Sequence, residues 1–188
     1  SNTVVTVTVN PISDAPTFTV DAASITTDED TAVALGLNAP VVVDATDQNG
    51  AAAGDNPELL GLITLSGLPV GATLLDGTNS NVLLHTATGG NITVKLSDGA
   101  HHANALGETI SMTTAQFNAL QVQAPANTHN NFSVSASVSS FEVDDSDVPL
   151  VGVAGSSSST NVDVMVQAVT DTVEIKVNGA DTHQVTID

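Results

Sequence analysis

Aspartate and glutamate supply most of the chemistry in this sequence: 21 acidic side chains stand against two Lys and no Arg, a formal net charge of -19. Carboxylates, amide oxygens and main-chain carbonyls are the hard donors that Ca2+ collects in sixes to eights. One candidate set is Asn10, Asp14, Glu29, Asp30, Asp44 and Asp47, from a short link, the loop before the second strand, and an Asp44-x-x-Asp47 pair that closes the following strand. A second is Glu142, Asp144, Asp145, Asp147 and Asp171, in which Glu142-Val143-Asp144 alternates so that both acids face one side of a strand. The loop at 47–58 carries Asp47, Asp55 and Glu58 without EF-hand spacing. Each set has a plain structural alternative. Asp closes turns and caps helices, and an acidic edge discourages strand pairing.

Other chemistries have less behind them. Asp98-Gly99-Ala100-His101-His102 with Glu108 holds the residue types of a zinc site. Neighbouring His side chains on a strand point to opposite faces, so loop histidines at the surface are expected instead. No nucleophile elbow, phosphate loop or zincin helix occurs, and the expectation is a protein that is not an enzyme. Two cations cannot neutralise a run of phosphates, which excludes nucleic acid as a partner and an anionic membrane surface as well. Trp and Tyr are absent, and sites that stack sugars or form protein hot spots favour them.

These acids have to be positioned by strands. Residues 4–9, 17–25, 32–37, 62–65, 82–87, 92–96, 108–112, 132–138 and 161–166 read with period two. Asn49-Gly50, Asp76-Gly77, Gly89-Gly90 and Asp98-Gly99 are turn signals between them. Many short strands with frequent turns imply an all-β sandwich. One short helix is expected where Thr113 and Gln116 form a capping box ahead of Phe117 and Leu120. Residues 156–159, four Ser after Gly155, read as a flexible loop. The core must be aliphatic, since 41% of residues are hydrophobic but only four are Phe. There is no Cys to form a disulfide or a thiolate, and no apolar run of about 18 residues that could span a bilayer.

The two ends of the chain repeat each other. Val5-x-Val7-x-Val9-Asn10-Pro11-Ile12-Ser13-Asp14 matches Val162-x-Val164-x-Val166-Gln167-Ala168-Val169-Thr170-Asp171 without a gap. A tandem array is the simplest source of this pattern. The expected organisation is residues 1–13 as the last strand and linker of a preceding repeat, 14–170 as one β-sandwich repeat, and 171–188 as the start of the following module.

Several stretches carry a family likeness. Val7-Thr8-Val9-Asn10-Pro11-Ile12-Ser13-Asp14-Ala15-Pro16 resembles the junction between cadherin-like repeats of giant bacterial adhesins exported by type I systems, many of which end in RTX nonapeptides. Asp28-Glu29-Asp30-Thr31, the run Leu62-Ile63-Thr64-Leu65-Ser66-Gly67-Leu68-Pro69-Val70-Gly71-Ala72-Thr73-Leu74, and Thr114-x-x-Phe117-x-x-Leu120 followed by Pro125-Ala126-Asn127 are similar to further elements of that family. The resemblance implies an Ig-like or cadherin-like β-sandwich with Ca2+ at its junctions. It implies a structural repeat at the bacterial cell surface that spaces or supports ligand-binding modules in adhesion and biofilm formation. Its partners would be neighbouring repeats of the same chain, and a host surface or matrix ligand through other modules, with no insertion into the membrane. A sugar- or peptide-binding adhesive module that uses Ca2+ is the alternative. The sequence departs from the family at His129 and Asn131, where relatives more often carry acids, and at the second junction, which lacks the two prolines.

Overall fold

The computed structural model describes residues 3–6, 11–42, 57–102 and 105–170, with the backbone of two short strands at 176–177 and 180–181. It is an all-β, sandwich-like fold, 47% strand and 3% helix. A larger sheet contains β2 (Ser24–Asp28), β5 (Glu58–Leu60), β6 (Ile63–Ser66), β9 (Ile92–Leu96), β10 (Ile110–Met112), β12 (Phe132–Glu142) and β13 (Ser156–Gln167). Their order is β10-β9-β6-β12-β13-β2, with β5 pairing on β12. A smaller sheet runs β3 (Val33–Ala34), β11 (Leu120–Gln123), β7 (Thr73–Asp76), β8 (Val82–Thr86). β1 (Thr17–Val20) and β4 (Leu37–Val41) form a separate antiparallel pair, as do the terminal strands β14 (Lys176–Val177) and β15 (Ala180–Asp181).

One core joins the two main sheets. From the larger sheet come Ile63, Leu65, Val94, Val134, Ala136, Val162 and Val164, and from the smaller come Leu74, Leu120 and Val122, all fully or almost fully buried. The period-two pattern is the cause: in β12 every second residue, Val134, Ala136, Val138, Ser140 and Glu142, is buried. The helix α1 (Thr114–Asn118) has the expected capping box and places Phe117 against Phe18, ring centroids 6.3 Å apart. Asp98 reinforces it by accepting from the Thr114 N–H (2.6 Å) and hydroxyl (3.0 Å). At Gly67, with φ +83°, a Cβ would lie 2.1 Å from the Ser133 carbonyl oxygen. Only Gly allows the turn after β6 to approach β12 this closely.

Five expectations about elements change. The stretch 32–37 divides between β3 and β4, whose first residue is Leu37. The stretch 17–25 divides into β1, which pairs with β4, and β2, which pairs with β13 in the larger sheet. Residues 3–6 carry no strand, and the rest of that expected element lies outside the described residues. The serines at 156–159 are the start of β13, paired with Ser137 to Ser140 of β12. Polarity suggested a loop, but serines on the open face of a sheet bond across strands, as Ser139 and Ser157 do at 2.7 Å. Gly155, just before them, packs under Phe141, where a Cβ would come within 2.5 Å of the ring. Finally, Glu142 and Asp144 do not share a strand face. β12 ends at Glu142, which is buried, and the exposed Asp144 has entered the turn that follows.

Candidate functional site

The strand register sorts the candidate acids by the end of the sandwich they occupy. β12 and β13 are antiparallel, with Ser140 opposite Ser156. Gln167, the last residue of β13, is therefore roughly 36 Å along the strand from the Ser140 end. We call the Ser140 end upstream, because the chain arrives there, and the Gln167 end downstream.

At the upstream end the link docks onto β12 and β5. The Glu142 N–H donates to the Ser13 hydroxyl (2.9 Å). The Asp14 N–H donates to Glu58 Oε1, and the Asp14 carbonyl accepts from the Ser140 hydroxyl. Glu58 and Glu142 are direct partners across the β5–β12 pair, only 1% and 7% exposed. Two carboxylates thus sit side by side under the arriving chain. They are inside because both continue the inward face of their strands, where the core gives way to polar residues. Like charges placed opposite one another on a sheet destabilise it unless a cation or a hydrogen-bond network balances them. The Asp14 side chain is exposed beside them.

Beyond Glu142 the chain makes a hairpin. Asp144 Oδ1 accepts from the N–H groups of Ser146 (2.8 Å) and Val148 (3.0 Å), and Asp147 adopts φ 58°. These are the bonds of a carboxylate closing its own turn. Asp145 is exposed in the same turn.

At the downstream end another glutamate holds the departing chain. Glu29 donates its N–H to the Gln167 carbonyl (2.8 Å) and accepts the Val169 N–H on Oε1 (2.8 Å). Asp30, with φ 58°, accepts the Asn127 N–H on Oδ1 (2.9 Å), and its carbonyl accepts from the Gln123 amide (2.9 Å). Asn131, one of the departures from the family pattern, accepts the Val166 N–H (2.8 Å) and so ties down the end of β13.

The expected sets are therefore regrouped. Asp14 stands with Glu142, and with Glu58, which sequence analysis had left in a separate loop. Glu29 and Asp30 stand at the opposite end, beside the chain leading toward Asp171. Asn10, Asp44, Asp47 and Asp171 lie outside the described residues. Among the described residues no group of three or more His, Asp or Glu side chains converges as a metal cluster. The upstream donors are nonetheless all hard oxygens, from Glu58, Glu142, Asp14 and the hydroxyls of Ser13 and Ser140, which is the donor type Ca2+ takes.

His101 and His102 lie in the loop between β9 and β10, but they are partly buried and not exposed at the surface. His101 is half-buried and wedged between strands: Nε2 accepts the Leu96 N–H (3.2 Å), which leaves Nδ1 to donate to the carbonyls of Leu60 (3.2 Å) and Gly61 (3.0 Å). Burial holds its pKa below the usual histidine value, against the pull of those carbonyls. His102 packs edge-on to Phe141, centroids 4.9 Å apart, in a cleft that also contains Ser139. Burial lowers its pKa too, helped by His101 and Lys95. The two rings have different surroundings and form no shared metal site. Asp76 is a further hub missed in the sequence. It accepts from Thr78 N–H (2.9 Å), Thr78 hydroxyl (2.6 Å) and Gln116 amide (2.7 Å), which together lower its pKa and tie the helix to β7.

No family model, curated protein or solved structure matches the chain. No helix among the described residues is long and apolar enough to cross a membrane.

Proposed function

We propose that this chain is a calcium-stiffened structural repeat of a secreted bacterial cell-surface adhesin, one that spaces or supports ligand-binding modules in adhesion and biofilm formation. The observation that carries this reading is that a glutamate holds the backbone of the link at each end of the sandwich: Glu58 on Asp14, Glu29 on Val169. A domain that works by itself has no need to fix the chain both where it arrives and where it leaves. A link in an array does. The adhesin-like motifs and the net charge of -19 favour the same reading.

The internal repeat gives the junction its composition. Gln167, Val169 and Asp171 correspond to Asn10, Ile12 and Asp14. One link thus bears the downstream acids of one unit on its first half and the upstream acids of the next on its second half. Ca2+ held by Asp14, Glu58 and Glu142, with Asn10 and the loop acids Asp44 and Asp47, would offset the repulsion of the buried pair and join the link to the domain. Glu29 and Asp30 would act likewise on the link that follows. Exposed Ile12 and Val151, beside the cleft between Pro11 and the 150–153 hairpin, would meet the neighbouring unit.

The test is thermal unfolding in millimolar calcium and in chelator. A ligand that binds only the folded form stabilises it by about 2.7 kcal/mol at a hundredfold excess over Kd, so wild type should melt higher in calcium. Asp14→Ala should lose most of that gain. Equal melting temperatures for wild type with and without calcium would reject calcium as the organising ligand. The stiffening step needs two tandem units, whose maximum dimension by small-angle scattering should grow when calcium is added.

A further inference from the structure

β5 carries the glutamate that holds the arriving link, yet it is short and paired on one side only. It is three residues long, and its sheet partner is β12. On its other side stands an isolated bridge from Leu60 to His101. The Leu60 carbonyl accepts from His101 Nδ1 (3.2 Å) and from the His102 main-chain N–H (3.3 Å), and the Gly61 carbonyl accepts from the same ring nitrogen (3.0 Å). His101 thus spans from β5 to the end of β9, where Nε2 takes the Leu96 N–H (3.2 Å). Every partner of the ring is a main-chain group, and this dictates its protonation. An N–H can only donate and a carbonyl can only accept, so the seat takes a neutral imidazole with its proton on Nδ1. An imidazolium would set a second N–H against that of Leu96. Among the described residues no free carboxylate stands ready to balance it. Lys95 and His102 are the basic groups beside the ring, and both disfavour a further positive charge there. Asp98, in the same loop, turns its carboxylate to the Thr114 N–H and hydroxyl, and Glu58 turns its own to the Asp14 N–H. From β12 and α1 the neighbours are Ser139, Phe141, Thr114 and Asn118, none of them ionisable at neutral pH. The loop also has room to leave. A cleft of about 240 Å³ opens on its Gly61 and His102 side, and one of about 470 Å³ on its Leu96 and Ala100 side.

We propose that His101 is a proton-operated latch on the arriving link: seated neutral between β5 and β9 it keeps Glu58 on the Asp14 N–H, and on taking a proton it leaves that seat, frees β5 and lets the link go. Out of its seat the ring titrates as an ordinary histidine, near a pKa of roughly 6.5. The open form therefore binds the extra proton, and the closed form is favoured above that value and lost as the pH falls. The ratio of open to closed rises by up to about tenfold per pH unit below it, until the seated ring is itself protonated. The latch acts through main-chain bonds and needs no metal, so it does not depend on the calcium reading.

The experiment is amide hydrogen exchange of the full chain in chelator between about pH 7.5 and 5.5, corrected for the intrinsic pH dependence of exchange, with nitrogen NMR shifts of the His101 ring read in parallel. In wild type the protection of the Asp14 amide should fall by up to about tenfold over this range. The Leu96 amide, which loses its acceptor, should fall with it, at the pH where the imidazolium appears, while the amides of β2 keep their protection. His101→Gln places a non-titrating amide where its oxygen can accept from Leu96 and its NH2 can donate to the carbonyls, and should hold Asp14 protection level across the range. His129→Gln removes an exposed histidine elsewhere and should behave as wild type. Asp14 protection that does not change with pH in wild type would overturn the proposal. So would a neutral His101 ring with its proton on Nε2, or a loss at Asp14 that persists in His101→Gln. If His101→Gln does not fold, wild type decides alone: the ring and the Asp14 amide must share one midpoint, and separate midpoints reject the latch. The calcium test is made at one fixed pH, so either idea can fail without the other.

Discussion

The upstream and downstream ends of the sandwich solve the same problem with different means. Both hold a passing chain with a glutamate, but Glu58 and Glu142 are buried at the end of the core, whereas Glu29 is half-exposed and Asp30 exposed. Burial changes what a carboxylate can do. Away from water its hydrogen bonds and its repulsions both strengthen, so the upstream pair is where the proposed cation would act most strongly. Near water the same groups are screened, and the downstream contact is a weaker tether. If the chain is one link of an array, as proposed, control of the junction should therefore lie mainly at the upstream end.

The sharpest way to break that comparison is to alter Glu58. Glu58→Ala removes the acceptor of the Asp14 N–H and opens a hole beside Glu142, which should cost about 2–3 kcal/mol of folding stability in calcium, read from denaturant midpoints. Glu58→Gln keeps an oxygen acceptor and removes only the charge. It should be as stable as wild type or more stable in chelator, where the repulsion with Glu142 is lifted, and less stable than wild type in calcium, where a ligand is lost. If Glu58→Gln tracks wild type in both conditions, the buried pair has no part in cation binding.

Acid provides a second, smaller perturbation, again centred upstream. His101 braces β5 from behind through the Leu60 and Gly61 carbonyls, and β5 carries Glu58. Its pKa is lowered in the folded protein, chiefly by burial. A lowered histidine pKa means that the folded state binds fewer protons than the unfolded chain. The stabilisation is present above the ordinary value of 6.5 and is lost as pH falls below it. Protonating Nε2 also abolishes its ability to accept the Leu96 N–H. Stability should thus begin to fall below pH 6.5, and His101→Gln should flatten that part of the profile. Hydrogen exchange as the pH is lowered should show amides of β5 opening before those of β2. A second loss should follow below 3.8, where Asp76 and Asp98, held low chiefly by Thr78 and by the Thr114 N–H, take up protons.

How much of this was legible in the sequence depended on whether the signal was local. The period-two strands, the capping box at Thr113 and Gln116, and the aliphatic core depend on neighbours a few residues apart, and they read well. The grouping of acids depends on strand order, which alternation does not encode. Asp14 and Glu58 are 44 positions apart, and Glu29 and Val169 are 140 apart. Spacing alone joined Asp14 to Glu29, and only the parallel pairing of β2 with β13 shows that they belong to opposite ends. Glu58 was obscured because it follows a stretch rich in turn residues, although it opens a fully buried strand. The serines of β13 misled for the complementary reason: their polarity is real, but Ser157 and Ser159 face outward from a paired strand while Ser156 and Ser158 lie partly buried on its inner side.

The smallest expected effect tests the weaker half of the comparison. The downstream tether is one bond from the Val169 N–H to Glu29 Oε1, made by a half-exposed carboxylate. Glu29→Ala removes that bond but leaves the backbone bond from the Glu29 N–H to the Gln167 carbonyl, which belongs to the main chain. A hydrogen bond to a charged group contributes about 1.5–3 kcal/mol when shielded, and less at a half-exposed carboxylate, because water replaces the lost partner at both groups. The melting temperature in chelator should therefore move little. What should change is local: the amide of Val169 loses its acceptor and should exchange with solvent faster in Glu29→Ala than in wild type, while the amides of β12 keep their protection. A global loss as large as that of Glu58→Ala would show that the two ends bear equal load, and the asymmetry drawn from their burial would be wrong. If Val169 exchange is unchanged, the glutamate is not what holds the departing chain, and the downstream link must be fixed by the β13–β2 pairing alone.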